Sequence, residues 1–146
     1  MRNKNQQHWF ECKVKYDRVG ESGQQTTVSE EYVIRANSFS EAERRITEET
    51  ASYVTGDFEV KKLGLSSYSE IIFGENNSQD KWYKCKVAFI TIDEKSEKEK
   101  RMTVTYLVQG NSLQGSLKGV EKFMGTSMND YIITAVNETS ILDVYN

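Results

Sequence analysis

Two cysteines, one histidine and a few recurring carboxylates are the residues of this chain best suited to act on a covalent bond. Cys12 and Cys85 stand in matching settings, Trp9-Phe10-Glu11-Cys12-Lys13-Val14 and Trp82-Tyr83-Lys84-Cys85-Lys86-Val87. A structural zinc site takes four ligands, and two thiols without neighbouring histidines do not supply them. A nucleophilic thiol needs a base or an electropositive pocket beside it, and His8, the single histidine, lies in the polar start of the chain. The thiols therefore read as small buried hydrophobes, and a disulfide between them is disfavoured in a reducing compartment. The carboxylates recur as Asp57 with Asp130 and Glu70 with Asp143. Converging, either pair would hold a metal or do acid–base work; the plainer role is to open strands, to cap them or to face water. No Gly-rich phosphate loop, nucleophile elbow or His-rich motif occurs. The residues give no catalytic group, no metal site and no cofactor, and the expectation is a protein that is not an enzyme.

A different constellation points to binding. Along the first of the matching blocks Trp9, Lys13 and Lys15 fall on the face opposite Phe10, Cys12 and Val14, and Trp82, Lys84 and Lys86 recur in the second. An aromatic ring beside lysines is what a base-stacking platform uses, a π-face for the base and ammonium groups for phosphates. Arg35 is placed on the same outer face as Trp9, and Lys61 on the outer face of its own strand. Trp9, Lys13, Lys15, Arg35, Trp82, Lys84 and Lys86 are the candidate ligand or partner residues. An ordinary alternative is that the chain ends, Tyr145 among them, or a second subunit cover the rings.

The elements that position these residues follow from a repeat. The tryptophan blocks recur at an offset of 73; Tyr32 to Phe39 matches Tyr106 to Leu113, Asp57 to Val60 matches Asp130 to Ile133, and Ser67 to Ile71 matches Ser140 to Val144. Near-constant spacing over four blocks predicts an internal duplication. Phe10, Cys12, Val14 and Tyr16 alternate with polar neighbours, as do Tyr83, Cys85, Val87 and Phe89, the pattern of half-buried strands. Second strands put Val28, Tyr32, Ile34 and Ala36, or Met102, Val104, Tyr106 and Val108, inward, with polar hairpin loops over Asp17–Gln25 and Asp93–Arg101. Ser38 with Glu41 forms a capping box, opening a helix whose stripe is Phe39, Ala42, Ile46, Tyr53 and Val54 and whose stop is Gly56. Ser112 opens the second helix, with stripe Leu113, Leu117, Val120, Phe123 and Met124 and stop Gly125. The predicted fold is α+β: a tandem duplication of a β-β-α-β unit, giving a mainly antiparallel sheet with two helices on one side and pseudo-two-fold symmetry. Residues 1–8 read as a disordered lead-in and 9–146 as a single domain made of repeats 9–73 and 81–146.

Charge narrows the partners. The net charge is −3 over 146 residues, with twelve acidic and eight basic residues in the first repeat against eight and nine in the second. Duplex-binding proteins usually carry a strong basic excess, so nucleic-acid contact here would be short and local. No apolar run nears the ~18 residues that span a membrane, and the polar start is no secretory signal. The expected location is the cytoplasm, with no membrane partner.

The two tryptophan blocks, the second extending through Ala88-Phe89-Ile90-Thr91-Ile92-Asp93-Glu94-Lys95, together with Tyr68-Ser69-Glu70-Ile71, resemble an uncharacterised domain family. That family is common in Bacteroides-type genomes, their mobile elements and their phages. The resemblance covers nearly the whole chain from Trp9 onward and brings no catalytic residues with it. It implies a small accessory protein of a phage or mobile element. The resulting expectation is a non-enzymatic protein binding a nucleotide or short single-stranded nucleic acid on an open sheet face. The alternatives are a sequestering or inhibitory protein acting on a host-defence nucleotide signal or a host protein, and an oligomeric structural protein.

Overall fold

The computed structural model describes residues 7–75, 79–125 and 127–146. Most of the expected lead-in, residues 1–6, lies outside them. His8, placed in the lead-in by its polarity, already opens a strand. The elements are β1 (His8–Val19), β2 (Gln25–Ala36), α1 (Phe39–Ala51), β3 (Phe58–Leu65), β4 (Tyr68–Ile72), β5 (Lys81–Ile92), β6 (Glu99–Gly110), α2 (Leu113–Met124), β7 (Asp130–Glu138) and β8 (Ile141–Tyr145). The alternating patterns do form paired strands, but these run further than expected into the polar connections. Thr27 donates to the Asp17 carboxylate at 2.9 Å across the first hairpin, and Gly23 turns it with φ +78°, a conformation glycine adopts without Cβ strain.

The protein is α+β, with two helices and two mainly antiparallel sheets of four strands each, in the orders β3-β1-β2-β8 and β4-β6-β5-β7. This corrects the expectation of one sheet carrying both helices. The Ser67–Ile71 and Ser140–Val144 blocks supply two further strands that alternation did not reveal. Each lies parallel against a long strand, β8 on β2 with Ile34 opposite Tyr145, and β4 on β6 with Val108 opposite Ile72. Each sheet thus reaches four strands with a helix over one face, enough to enclose a core of its own. The chain divides into two compact units, residues up to Ser66 with Ser140–Asn146, and Ser67–Thr139. The strand following β3 therefore joins the sheet of the second unit, and the strand following β7 joins the sheet of the first.

In unit 1 the core gathers Phe10, Cys12, Val14, Tyr32, Ile34 and Ala36 beneath Ala42 and Ile46 of α1. In unit 2, Cys85, Val87, Tyr106 and Val108 meet Val120 and Met124 of α2. The helices bury Ala42 and Ile46, and Val120 and Met124, of the expected stripes, but not their other members. Thr50 and Ser116 point inward, their hydroxyls donating to the carbonyls of Ile46 and Leu113 at 2.7 Å each, while Phe39, Tyr53, Leu113 and Phe123 are half exposed. Tyr53 and Val54 lie beyond α1, which ends at a Ser52 cap rather than at Gly56. Met102, expected inward, is 64% exposed. Gly110 is required by close approach: a Cβ there would stand 3.3 Å from the Ser116 amide of α2.

Candidate ligand-binding face

The face of β1 turned away from α1 carries Trp9, Glu11, Lys13 and Lys15, because successive side chains alternate across a strand. Antiparallel register sets Arg35 of β2 directly opposite Trp9 and Glu31 opposite Lys13. The Arg35 guanidinium lies over the indole, 5.0 Å from its centroid, a cation–π contact. Its Nη1 donates to the Asn146 side chain at 2.9 Å, while its buried Nε has no hydrogen-bond partner among the described residues. Arg45 of α1 reaches the same corner, donating through Nη1 to the Arg35 carbonyl and through Nη2 to the Asn146 backbone oxygen at 3.3 Å. Lys13 follows along β1 opposite Lys62 of β3. Lys15 lines a shallow cleft of about 300 Å³ with Asp17, Asp57 and Glu59, so carboxylates surround its charge. Trp9 and Arg35 are thus brought together, Lys13 extends the basic line, and Lys15 ends it in acidic surroundings. Arg45 was not foreseen, since nothing in a helix pattern shows that one of its arginines reaches back to a strand end.

The face is not the open platform expected. Val33, between Glu31 and Arg35 on β2, is wholly buried, and Ile141 and Val144 of β8 nearly so. What stays accessible is the margin around Trp9, Lys13 and Lys15.

In unit 2 the corresponding arrangement is filled from within. Trp82 is 2% exposed, with Phe73 packed edge-on at 5.6 Å. This corrects its placement as an outward stacking ring: the segment after β4 covers it. Gln109 stands opposite Trp82 where Arg35 stands opposite Trp9. Its side chain is engaged, accepting from the Gly74 amide at 2.9 Å and donating to the Gln79 carbonyl at 2.7 Å. Lys84 and Lys86 are exposed as expected, and Lys84 lies 5.8 Å from the centroid of Tyr68. Lysines remain on this face, but Trp82 is not open beside them.

Cys12 and Cys85 are free and buried. Burial pushes the Cys12 thiol up to about 12, with the Glu11 carboxylate adding to the rise, and burial pushes the Cys85 thiol up to about 11. The expected carboxylate pairs, Asp57 with Asp130 and Glu70 with Asp143, each divide between the units: Asp57 precedes β3 and Asp143 lies on β8 of unit 1, while Glu70 lies on β4 and Asp130 on β7 of unit 2. Among the described residues no three His, Cys, Asp or Glu side chains group as metal ligands, and no described helix is long and apolar enough to cross a membrane.

Two four-stranded sheets, each completed by a short parallel strand and covered by one helix, define an α+β protein in which an arginine lies over a tryptophan at one corner of unit 1. Over residues 8–146 the chain matches the family described as Domain of unknown function (DUF4494), and it belongs to that family. Curated proteins give no match to it.

Proposed function

We propose that this is a non-enzymatic binding protein, an accessory protein of a phage or mobile element, that takes a nucleotide or a short single strand at the Trp9 corner of unit 1. The observation carrying this reading is the Trp9–Arg35 pair: an indole at the margin of a sheet, a guanidinium over it whose buried Nε has no partner among the described residues, and Lys13 further along the strand. Four residues of strand span about 13 Å, so ring and ammonium suit a base and the phosphates of one or two nucleotides. The buried Val33 supports a short ligand over a long strand. Against nucleophilic catalysis stand the raised thiols, far from the thiolate that attack needs.

The two halves read as a tandem duplication. Their sheets have the same internal order, and both bulge at equivalent places, between Lys13 and Val14 and between Lys86 and Val87. On this reading the halves have diverged: Gln109 and Gly119 occupy the places of Arg35 and Arg45, and binding is concentrated in the first half.

Tryptophan emission tests the proposal. Titration with nucleoside monophosphates and a thymidine dinucleotide should give a saturable quench that vanishes in Trp9→Phe. Arg35→Gln, which imitates the second half, should weaken binding by tenfold or more, whereas Lys84→Gln should leave it unchanged. An emission spectrum indifferent to every nucleotide at millimolar concentration, or equal binding by Arg35→Gln, would exclude it.

A further inference from the structure

The outer edges of the two sheets differ in a way the nucleotide reading does not use. β3 ends the sheet of unit 1 and β7 that of unit 2. An edge strand turns a row of backbone N–H and C=O groups outward, and proteins blunt such edges with charge, above all lysine. β3 follows that rule: its sequence Phe-Glu-Val-Lys-Lys-Leu-Gly-Leu places Lys61 and Lys62 at the bulge. β7 does not. Between Asp130 and Glu138 it reads Tyr-Ile-Ile-Thr-Ala-Val-Asn, without a charge, and Thr134 stands at the bulge. Ile132 is 40% exposed and Thr134 and Asn137 are exposed.

Beside this edge runs a groove of about 470 Å³ between β7 and α2, with Tyr131, Ile133 and Val136 as its apolar floor and Leu117 and Glu121 as its wall. A strand added to β7 would direct alternate side chains into it, the geometry of β-augmentation, in which backbone bonds hold the guest and pockets choose its side chains. We propose that the β7 edge receives an extended segment of a partner protein with apolar residues at alternate positions and basic residues flanking them. Charge selects this occupant. The charged groups on the edge strand and in the groove wall are Asp130 and Glu138 at the strand ends and Glu121; Lys81 offsets Glu138 in part at 3.6 Å, and Lys84 and Lys86 stand one strand inward on β5, opposite Asn137 and Ala135. The same charges disfavour a second copy. Antiparallel self-pairing about Thr134 would set Asp130 against Glu138 of the mate at both ends, and like charges directly opposite are destabilising.

The test uses the full chain and a fluorescein-labelled, acetylated peptide Lys-Val-Thr-Val-Thr-Val-Lys followed by anisotropy. Binding should saturate, weaken at least tenfold when the terminal lysines become glutamates, and weaken similarly when alternate amides are N-methylated. Thr134→Lys, which transplants the β3 guard onto an exposed position, should weaken it tenfold or more. Glu121→Lys should shift preference from the lysine-flanked toward the glutamate-flanked peptide. The proposal fails if no saturable binding appears, if the N-methylated peptide binds equally well, or if Glu121→Lys leaves the preference untouched. It also fails if light scattering shows a dimer that Thr134→Lys dissolves, because a second copy would then occupy the edge. These outcomes are independent of nucleotide binding at Trp9, which lies in the other unit and is read by another probe.

Discussion

Cys12 and Cys85 hold the same place in their sheets, opposite Tyr32 and Tyr106, and both sit where water does not reach. A thiol whose folded pKa is raised binds its proton more tightly folded than unfolded. Its stabilising contribution is therefore complete below the unfolded value, about 8.5, and is lost as pH climbs toward 11 and 12. The tyrosines of unit 1 act in the same sense. Burial and the hydroxyl contact with Tyr53, 2.9 Å away, push Tyr32 well above the usual tyrosine range, and burial does the same for Tyr145, stacked on Tyr32 at 5.5 Å. The melting temperature should accordingly be flat from pH 6 to 8 and fall steeply above about pH 9–10. Ellman's reagent at pH 8 should leave both thiols unmodified until denaturant is added. Rapid modification of the native protein would contradict the packing of both cores. Trp82 shows the limit of reading single residues. Its alternation matches that of Trp9, yet Phe73, nine positions earlier and next to a stretch that reads as linker, decides its exposure. Strand periodicity carries no information about such a cover.

At the scale of elements, the long strands and both helix starts were legible because local chemistry determines them. Alternation specifies the faces of β1 and β5, and Ser38 and Ser112 accept from the amides of Glu41 and Gly115 at 3.1 and 2.9 Å. The orientation of the helices was legible in part: Ala42, Ile46, Val120 and Met124 face the cores as their spacing predicts, but other inward positions were missed. Thr50 and Ser116 look solvent-facing by residue type, but each satisfies its hydroxyl on its own helix, which removes most of the cost of burial. Phe39 and Leu113 look like core and stay half exposed at the first turn. β4 and β8 escaped for another reason: five residues with a polar centre have no periodicity, and parallel pairing to a distant strand leaves no local mark. The glycines of α2 give a prediction at this scale. A Cβ on Gly119 would meet only Val108 Cγ1 at 3.4 Å, ordinary contact, so Gly119→Ala should stabilise the protein by up to about 1 kcal/mol. A Cβ on Gly115 would stand 3.1 Å from both the Ser112 hydroxyl and the Asn111 amide oxygen, crowding the cap. Gly115→Ala should gain less than Gly119→Ala or nothing, and urea denaturation of the two variants distinguishes them. A larger gain at 115 than at 119 would mean that α2 sits differently against β6.

For the whole molecule, the matching blocks in the sequence and the units in space have different boundaries. By sequence the first repeat closes with Tyr68–Ile72, but that strand completes unit 2, and unit 1 waits for Ile141–Tyr145 from the far end of the chain. β8 supplies unit 1 with Tyr145 against Tyr32 and is followed by Asn146, which holds Arg35 and Arg45. Without it β2 becomes an edge, and Ile141 and Val144 no longer contribute their buried apolar surface, each worth roughly 1.5–3 kcal/mol when fully buried. Against a total that is typically about 5–15 kcal/mol, such a loss is decisive for a unit this small. Cutting the chain by sequence similarity and cutting it by space should therefore give opposite results. A fragment spanning 67–139 contains every strand of the β4-β6-β5-β7 sheet with α2, and should show a cooperative melt and protected amides in β5 and β6. A fragment spanning 9–73 contains the whole first repeat but only three strands of its own sheet, and its β1 and β2 amides should exchange at close to unfolded rates. Deleting 140–146 from the full chain should likewise remove protection first from β2 and leave β6 protected. Hydrogen exchange with mass spectrometry reads all three, and a folded 9–73 fragment beside an unfolded 67–139 fragment would contradict the strand exchange.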